Sequence, residues 1–350
     1  MDKKIEERKD MSDVVISTRI RFARNLRDYP FPCRMNTEQK CRVAQIVKEA
    51  VLGGKSPIAK RFRYIQMSEL TQEEAVSLVE RHLVSPEFIS DREGRGLLLL
   101  DDESVSIMIN EEDHIRIQVI KPNLDLDGAF EVADKIDTLF DDQLNFAFND
   151  KLGYLTQNPT NIGTGMRASL MLHLPALREN GAMGKMSNYL GKLGLILRGV
   201  YSDTSDPKCS IFQLSNQVTL GISEREAINN LNDIAMQLIS QERTARASLA
   251  KNVSVLDSIY RSFGILQFAK LLSNDECLKL LSYLRFGIEI GVFENIDYDT
   301  INHLMTEVQP ATLMKNIGKK LTAQERDQIR AEVVRTALMR KQVPVNRRLS

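Results

Sequence analysis

From Val14 to about Gly221, apolar and polar positions alternate in repeated short runs, with stretches of helical spacing between them. This pattern predicts an α+β domain built on a substantial sheet. VVISTRIRF (14–22), HIRIQVI (114–120), MRASLMLHL (166–174) and LGLILRGVY (193–201) read as strands. From about Ser223 the spacing turns helical. Ser223 with Glu226, Ser273 with Glu276 and Thr322 with Glu325 match the S/T-x-x-E start signal, each before an amphipathic run. KNVSVLDS (251–258) is the expected hinge, giving an N-terminal tail (1–13), an α+β domain (14–250) and a helical domain (251–350) that ends in a frayed basic QVPVNRRLS.

Strand alternation sorts the polar residues onto faces. Arg19 and Arg21 project together; so do His114, Arg116 and Gln118, and likewise Arg167, Ser169 and His173, while LGLILRGVY ends at Arg198 before a polar loop. Any one of these strands alone reads as well as a solvated sheet face. On the same side of one antiparallel sheet, their arginines would form a concave basic floor able to grip a triphosphate with guanidinium forks. NPTNIGTGMRAS (158–169) looks like a phosphate loop but has neither GxGxxG nor GxxxxGK[ST]. Its charge is expected from Arg167, with Gly163 and Gly165 letting the backbone approach the cleft.

Composition narrows the options. With 43% hydrophobic residues in 350, the chain can bury sizeable cores. Its 47 basic residues balance 47 acidic ones, so no overall field draws nucleic acid or a membrane surface, and an anion site must be a local cluster. Cys33, Cys41, Cys209 and Cys277 form no CxxC pair, which argues against a disulfide framework or zinc site and for a reducing compartment. The charged opening MDKKIEERKD and the lack of a long apolar run predict a cytoplasmic protein with no leader and no membrane span. Two acidic groups adjoin the arginines: Glu111, Glu112 and Asp113 before Arg116, and Asp203 and Asp206 after Arg198. Each is a solvated turn or the flank of a site for a cationic acceptor.

STRIRFARNL, NEEDHIRI, PTNIGTGMRAS and the RG-x-Y loop together resemble the phosphagen (guanidino) kinase superfamily, and within it the bacterial protein-arginine kinases, from about Val14 to the end of the chain. The resemblance implies a phosphagen-kinase-like catalytic domain, with a central antiparallel sheet flanked by helices, and an all-helical C-terminal domain. It implies ATP as donor, with Mg²⁺ held mainly by the nucleotide phosphates and no metal site on the protein. ATP contacts are expected from Ser17, Thr18, Arg19, Ile20, Arg21, His82, Arg116, Arg167, Ala168, Ser169, Leu170, Met171, Arg198, Gly199, Val200, Tyr201, Ser202 and Asp203. His82 reads equally as a helix-end histidine.

A guanidinium is always protonated, so carboxylates must orient the acceptor and help remove its proton. By the superfamily pattern Glu112 is the catalytic carboxylate, Glu111 and Asp113 shape its pocket, and Asp203 or Asp206 supplies the opposing clamp; Asn158, Thr160, Asn161 and Gly163 form the substrate loop. Kinases of small guanidines carry a helical domain before the STRxR strand, whereas 16 residues precede Ser17 here, which favours arginine on a protein as acceptor. RDQIRA (326–331) fits the RDxxRA motif of the protein-arginine kinases, implying an allosteric phosphoarginine pocket from Arg326, Asp327, Arg330 and Ala331; by composition alone it is a solvated helix. Two departures stand out: Asn158 replaces the usual cysteine, and Asp203 and Asp206 replace glutamates.

The reading is therefore an active protein-arginine kinase whose products are marked for Clp-type degradation. The alternatives are a catalytically weakened phosphoarginine reader or adaptor, and a kinase of a free guanidine. Implied partners are arginine-bearing substrates of the heat-shock-repressor type, a zinc-binding activator protein, a Clp-type unfoldase and a second copy of the chain, with no direct nucleic-acid binding.

Overall fold

The structure, a computed structural model, describes residues 11–54, 57–200, 209–293 and 295–339. Its centre is an eight-stranded sheet made from β1 (Val15–Arg24), β2 (Phe62–Gln66), β3 (Gly96–Leu100), β4 (Val105–Ile109), β5 (Ile115–Pro122), β8 (Met166–His173), β9 (Leu195–Gly199) and β10 (Ile211–Asn216). The order is β2-β3-β4-β5-β1-β8-β10-β9, and every pairing is antiparallel. A small hairpin of β6 (Phe148–Asn149) and β7 (Gly153–Tyr154) lies outside it. The expected α+β architecture with a central antiparallel sheet is therefore present.

Alternation explains how the sheet is used. In β1, Ile20 and Phe22 turn to one face and join Ile117, Val119, Ala168, Leu170 and Leu214 in the main core. That face is covered by α1 (Thr37–Leu52), α4 (Leu126–Asp141) and the long α7 (Glu224–Leu249), which Ser223 and Glu226 start with a reciprocal capping box. The other face is covered only at its ends. At the β3–β4 end, Leu97, Leu99 and Met108 pack with Leu78 of α2 (Gln72–Glu80) and Phe88 of α3 (Pro86–Ser90). At the opposite end, Ile211 packs under the C-terminal helices. Between these two clusters the sheet carries its arginines.

Two short helices, α5 (Pro175–Glu179) and α6 (Met183–Lys192), connect β8 to β9. The C-terminal helices are α8 (Val253–Phe268), α9 (Asn274–Glu289), α10 (Tyr298–Glu307), α11 (Pro310–Ile317) and α12 (Ala323–Met339). Within the expected hinge stretch, Asn252 caps α8 with its side-chain oxygen, so the break after α7 is a tight capped corner. Thr322 and Glu325 bond reciprocally at the start of α12, whereas Ser273 caps α9 from one side only.

The helices are bolted to the sheet by buried charge. Arg285 of α9 donates to the Asp13 and Ser12 carbonyls at 2.7 and 2.6 Å and pairs with Glu289. Arg243 and Arg246 of α7 pair with the Asp13 carboxylate. The end of the expected N-terminal tail is thus anchored inside the molecule. Glu80, at the end of α2, accepts from the Ala311 and Thr312 backbone at the start of α11. A carboxylate at a helix N-terminus is favourable for the helix dipole and satisfies donors that have no partner within the helix.

Candidate active site

The strand register brings the predicted arginines to one face. Arg21 lies directly opposite Arg167, Arg19 opposite Ser169, Ala23 opposite Arg116, and Arg198 opposite Gln213. Arg19, Arg21, Arg116, Arg167 and Arg198 all line one open cleft of about 850 Å³, together with Glu111, Glu112 and Asn158. Four strands therefore supply the basic floor that the alternation predicted. Gly199 and Val200 extend its rim.

Few of these cations have anionic partners. Arg19 donates to the neutral Gln213 at 2.7 Å and Ser169 at 3.4 Å; Arg167 donates to Asn161 at 3.0 Å. The Arg198 side chain has no hydrogen bond among the described residues, and the buried Arg21 Nε has no partner. Burial, then Arg19, Arg116 and Arg167, push the Arg21 pKa well down; burial and then Arg116 bring Arg19 to about 10. Burial, with Arg116 and Arg198, lowers Arg167 as well. Crowding like charges without counter-ions is unfavourable unless an anion completes the site, and the geometry is that of a polyanion receptor.

The acidic wall divides its labour. Glu111 is 5% exposed and accepts from Arg116 at 2.6 Å, Ser85 at 2.5 Å and the Glu112 backbone at 2.8 Å. Burial raises its pKa, but the Arg116 charge and these bonds outweigh that and hold it below the usual carboxylate value. Glu111 thus serves here as counter-ion and anchor for Arg116 rather than as a free carboxylate. Glu112, next to it, is half-buried on the cleft, and its carboxylate has no hydrogen bond among the described residues. Asp113 is buried and accepts from Asn25 at 2.6 Å and the Gln157 backbone at 2.8 Å, tying the acidic segment to the turn before Asn158. Burial pushes its pKa up.

In the substrate loop, Asn158 Oδ1 accepts from the Thr160 backbone and hydroxyl at 3.0 and 2.9 Å. Where a cysteine was expected by the family pattern, the asparagine shapes the turn. Asn158, Thr160 and Asn161 line the cleft. The glycines have other work. A Cβ on Gly163 (φ 111°) would lie 2.1 Å from the Thr219 carbonyl, and one on Gly165 (φ 61°) 2.7 Å from that of Ala23. The lack of a Cβ at both positions lets the loop seat closely against neighbouring backbone.

Beside the cleft, and sharing Arg19 and Gln213 with it, is a second cavity of about 190 Å³ lined by Ser17, His82 and Met171. His82 adopts the left-handed conformation (φ 60°) just beyond α2, and Gln118 holds that turn by donating to the His82 and Leu83 carbonyls at 2.9 and 3.0 Å. Burial, and secondarily Arg19, bring the His82 pKa down to about 4, so its imidazole is neutral.

Other predicted contacts fall elsewhere. Thr18, Ile20, Ala168 and Leu170 have fully buried side chains on the opposite face, as strand alternation requires, so these residues offer the cleft no side chain. Thr18 bonds to the Asn123 carbonyl and the Asp125 backbone. His173 shares the arginine face but lies under α9, bonded to Ser282. His114 fastens the 26–30 segment through Leu26 and Pro30. Tyr201, Ser202, Asp203 and Asp206 lie outside the described residues. In RDxxRA, Arg330 is 1% exposed and donates to the Val308 and Leu272 carbonyls and to Asp327, Ala331 is in the core, and Arg326 and Asp327 reach the surface.

Gln213, Ser85, Gln157 and Arg95 are cleft or support residues that the sequence reading missed. Gln213 and Ser85 are neutral side chains whose importance depends on a charged partner distant in sequence, so nothing local marked them. Among the described residues no group of three or more His, Cys, Asp or Glu is placed to hold a metal ion. Among them, no helix is long and apolar enough to cross a membrane.

Comparison with known proteins places this geometry. Residues 42–245 match the family model for the ATP:guanido phosphotransferase C-terminal catalytic domain, and residues 252–348 match that for the protein-arginine kinase McsB C-terminal domain. A protein-arginine kinase of Caldanaerobacter subterraneus subsp. tengcongensis is 45% identical over 94% of this chain and 98% of its own. That of Halothermothrix orenii is 45% identical over 93% of each. Among solved structures, lombricine kinase aligns with a TM-score of 0.60 at 26% identity, covering 68% of each chain. The duplicated taurocyamine kinase of Schistosoma mansoni shares the fold at a TM-score of 0.59 and 22% identity, over 73% of this chain and 38% of its own. The chain is a kinase belonging to the ATP:guanido phosphotransferase family, in its protein-arginine kinase branch.

Proposed function

We propose that the five cleft arginines hold the phosphates of ATP while Glu112 receives the guanidinium of an arginine side chain on a protein substrate. The observation that carries this reading is the meeting, in one cleft, of five guanidinium-bearing side chains with a carboxylate that accepts no hydrogen bond from a described residue. In phosphoryl transfer the protein's work is alignment and charge stabilisation. A guanidinium nitrogen attacks the γ-phosphorus, the N–P bond forms, and the bond to the β–γ bridging oxygen breaks with its electrons leaving on ADP. Glu112 orients the acceptor and takes the proton that the nitrogen loses. The arginines neutralise charge on the phosphate oxygens as it redistributes. Mg²⁺ bound to the phosphates supplies further counter-charge.

Phosphoarginine sensing at RDxxRA belongs to the same proposal, supported by the surface positions of Arg326 and Asp327. A homodimer is supported by Tyr260, Ile265 and Phe268, which α8 leaves exposed. The repressor-type substrate, zinc-binding activator and Clp-type unfoldase follow from the family resemblance.

The test is incubation with Mg-ATP and an arginine-rich protein, read as acid-labile phosphate on the protein. Glu112→Gln should lower transfer by about 10²–10⁴-fold while sparing ATP affinity. Absence of label with wild type, with phosphoarginine still bound, would leave a reader; turnover of free arginine alone would leave a small-guanidine kinase.

A further inference from the structure

We propose that Asn302 on α10 recognises the nucleoside end of ATP, so that the C-terminal helical region supplies one wall of the nucleotide site. The inference rests on the reading of the basic cleft as the triphosphate site. Arg19 and Gln213 line both that cleft and the adjoining 190 Å³ cavity. A ligand with its phosphates on the arginines therefore runs its other end past Arg19 into this cavity. By the volume share of liquid water, the space holds about six waters.

The lining matches a flat heterocycle. Ile16, Ile120, Met171 and Ile211 line the cavity beside Met305 of α10; Ser17, His82, Asn302 and Thr306 are among its polar groups, together with Arg81, Ser169 and the shared Arg19 and Gln213. A mostly apolar slot with a few placed polar atoms is the usual form of a small-molecule site. Ser17, Met171 and Ile211 come from the sheet; Asn302, Met305 and Thr306 come from a helix far later in the chain.

The orientation of Asn302 follows from its neighbour. Arg285 Nε lies 3.2 Å from the Asn302 carboxamide oxygen, and a guanidinium can only donate, so that oxygen must be the atom it meets. Arg285 cannot easily turn away, because it is itself held by the Asp13 and Ser12 carbonyls and packed on the Tyr298 ring at 4.9 Å. The carboxamide nitrogen is left as a donor without a hydrogen-bond partner among the described residues. Purine ring nitrogens and ribose oxygens are acceptors, which is the complementary chemistry.

The wall is also held in place. Arg330 Nε donates to the carbonyl of Val308, one residue past the end of α10, and Glu80 caps the following α11 from the helix that ends beside His82. Both sides of the cavity are thereby tied to one another.

Calorimetry with the full chain, Mg²⁺ and two probes, ATP and inorganic triphosphate, tests the proposal. Wild type should bind ATP more tightly than triphosphate. Asn302→Leu, similar in size but unable to donate, should weaken ATP about three- to tenfold with triphosphate binding unchanged, and raise the KM for ATP while kcat is retained. Thr306→Val provides a second, milder probe of the same wall, and the melting temperature of each variant checks its fold.

Unchanged ATP binding in both folded variants overturns the proposal. So does equal loss of ATP and triphosphate, or a wild type that binds both probes equally well; in that last case the phosphate cleft stands without the nucleoside wall. If wild type binds neither probe, the cleft reading itself fails, and this inference fails with it.

Discussion

Replacing Arg21 by methionine should move stability and binding in opposite directions. Arg21 faces Arg167 directly across the strand pair, and its buried Nε has no partner. Like charges opposite one another in a sheet are destabilising, and a buried polar group without a partner costs about 1–3 kcal/mol. Methionine occupies similar length without charge. The apo protein should therefore gain roughly that amount, which for a chain of 350 residues, at about 2.1 cal/mol/K per residue, is a rise in Tm of about 1–4 °C. Each lost charge-assisted bond to a phosphate should cost about 1.5–3 kcal/mol, or roughly 10- to 150-fold in ATP affinity.

Differential scanning fluorimetry with and without Mg-ATP reads both effects, because ligand at free concentration L that binds only the folded state stabilises it by RT ln(1 + L/Kd) and so raises Tm more the tighter it binds. The expected pattern is a higher apo Tm and a diminished rise on adding ATP. A lower apo Tm would mean that Arg21 holds the sheet together, and undiminished ATP affinity would mean that the arginine floor is not where the phosphates lie. Either result refutes the charge-crowding argument.

Three further outcomes are expected. Asp327→Ala should leave basal transfer intact and blunt any response to added phosphoarginine; an unaltered response places that pocket elsewhere. Removing the cap on α11 by Glu80→Ala should lower stability by about 1–2 kcal/mol in urea unfolding, and no change would show that water replaces the carboxylate without loss. His114 Nδ1 must accept from the Leu26 backbone, so the folded state keeps this ring neutral, and burial brings its pKa down to about 4. Below the unfolded value of about 6.5 the unfolded chain binds a proton that the native ring refuses, so stability falls as pH drops from there towards 4, by about 2 kcal/mol per such histidine at pH 5. His114→Asn should flatten that slope in denaturant titrations at pH 7 and pH 5; an unchanged slope would assign the loss to other groups.

The arginine faces were legible because strand periodicity is local: once STRIRF and IRIQVI are strands, the side on which Arg19, Arg21 and Arg116 project follows. That also exposes why contiguous motif residues misled. Thr18, Ile20, Ala168 and Leu170 sit inside motifs that carry the site, yet alternation turns their side chains into the core. Glu111 and Glu112 are chemically alike in sequence, and only the distant Ser85 and the strand position of Arg116 make one an anchor and leave the other open. The α10 wall had no local signal at all, since Asn302 gains its meaning from Arg285 and from a cavity floored by β1 and β8. Arg330 looked solvent-facing by helical spacing; its burial follows from the corner at Val308, which no period reveals.

The two bonds that Asp113 accepts, from Asn25 and from the Gln157 backbone, have a kinetic consequence. They pin the segment bearing Glu112 to the turn bearing Asn158 in the free protein, so the spacing between that carboxylate and that loop is set by the fold. On the proposed role of Glu112, an arriving guanidinium meets a carboxylate and a loop already held at fixed spacing, which lowers the ordering cost of reaching a reactive geometry.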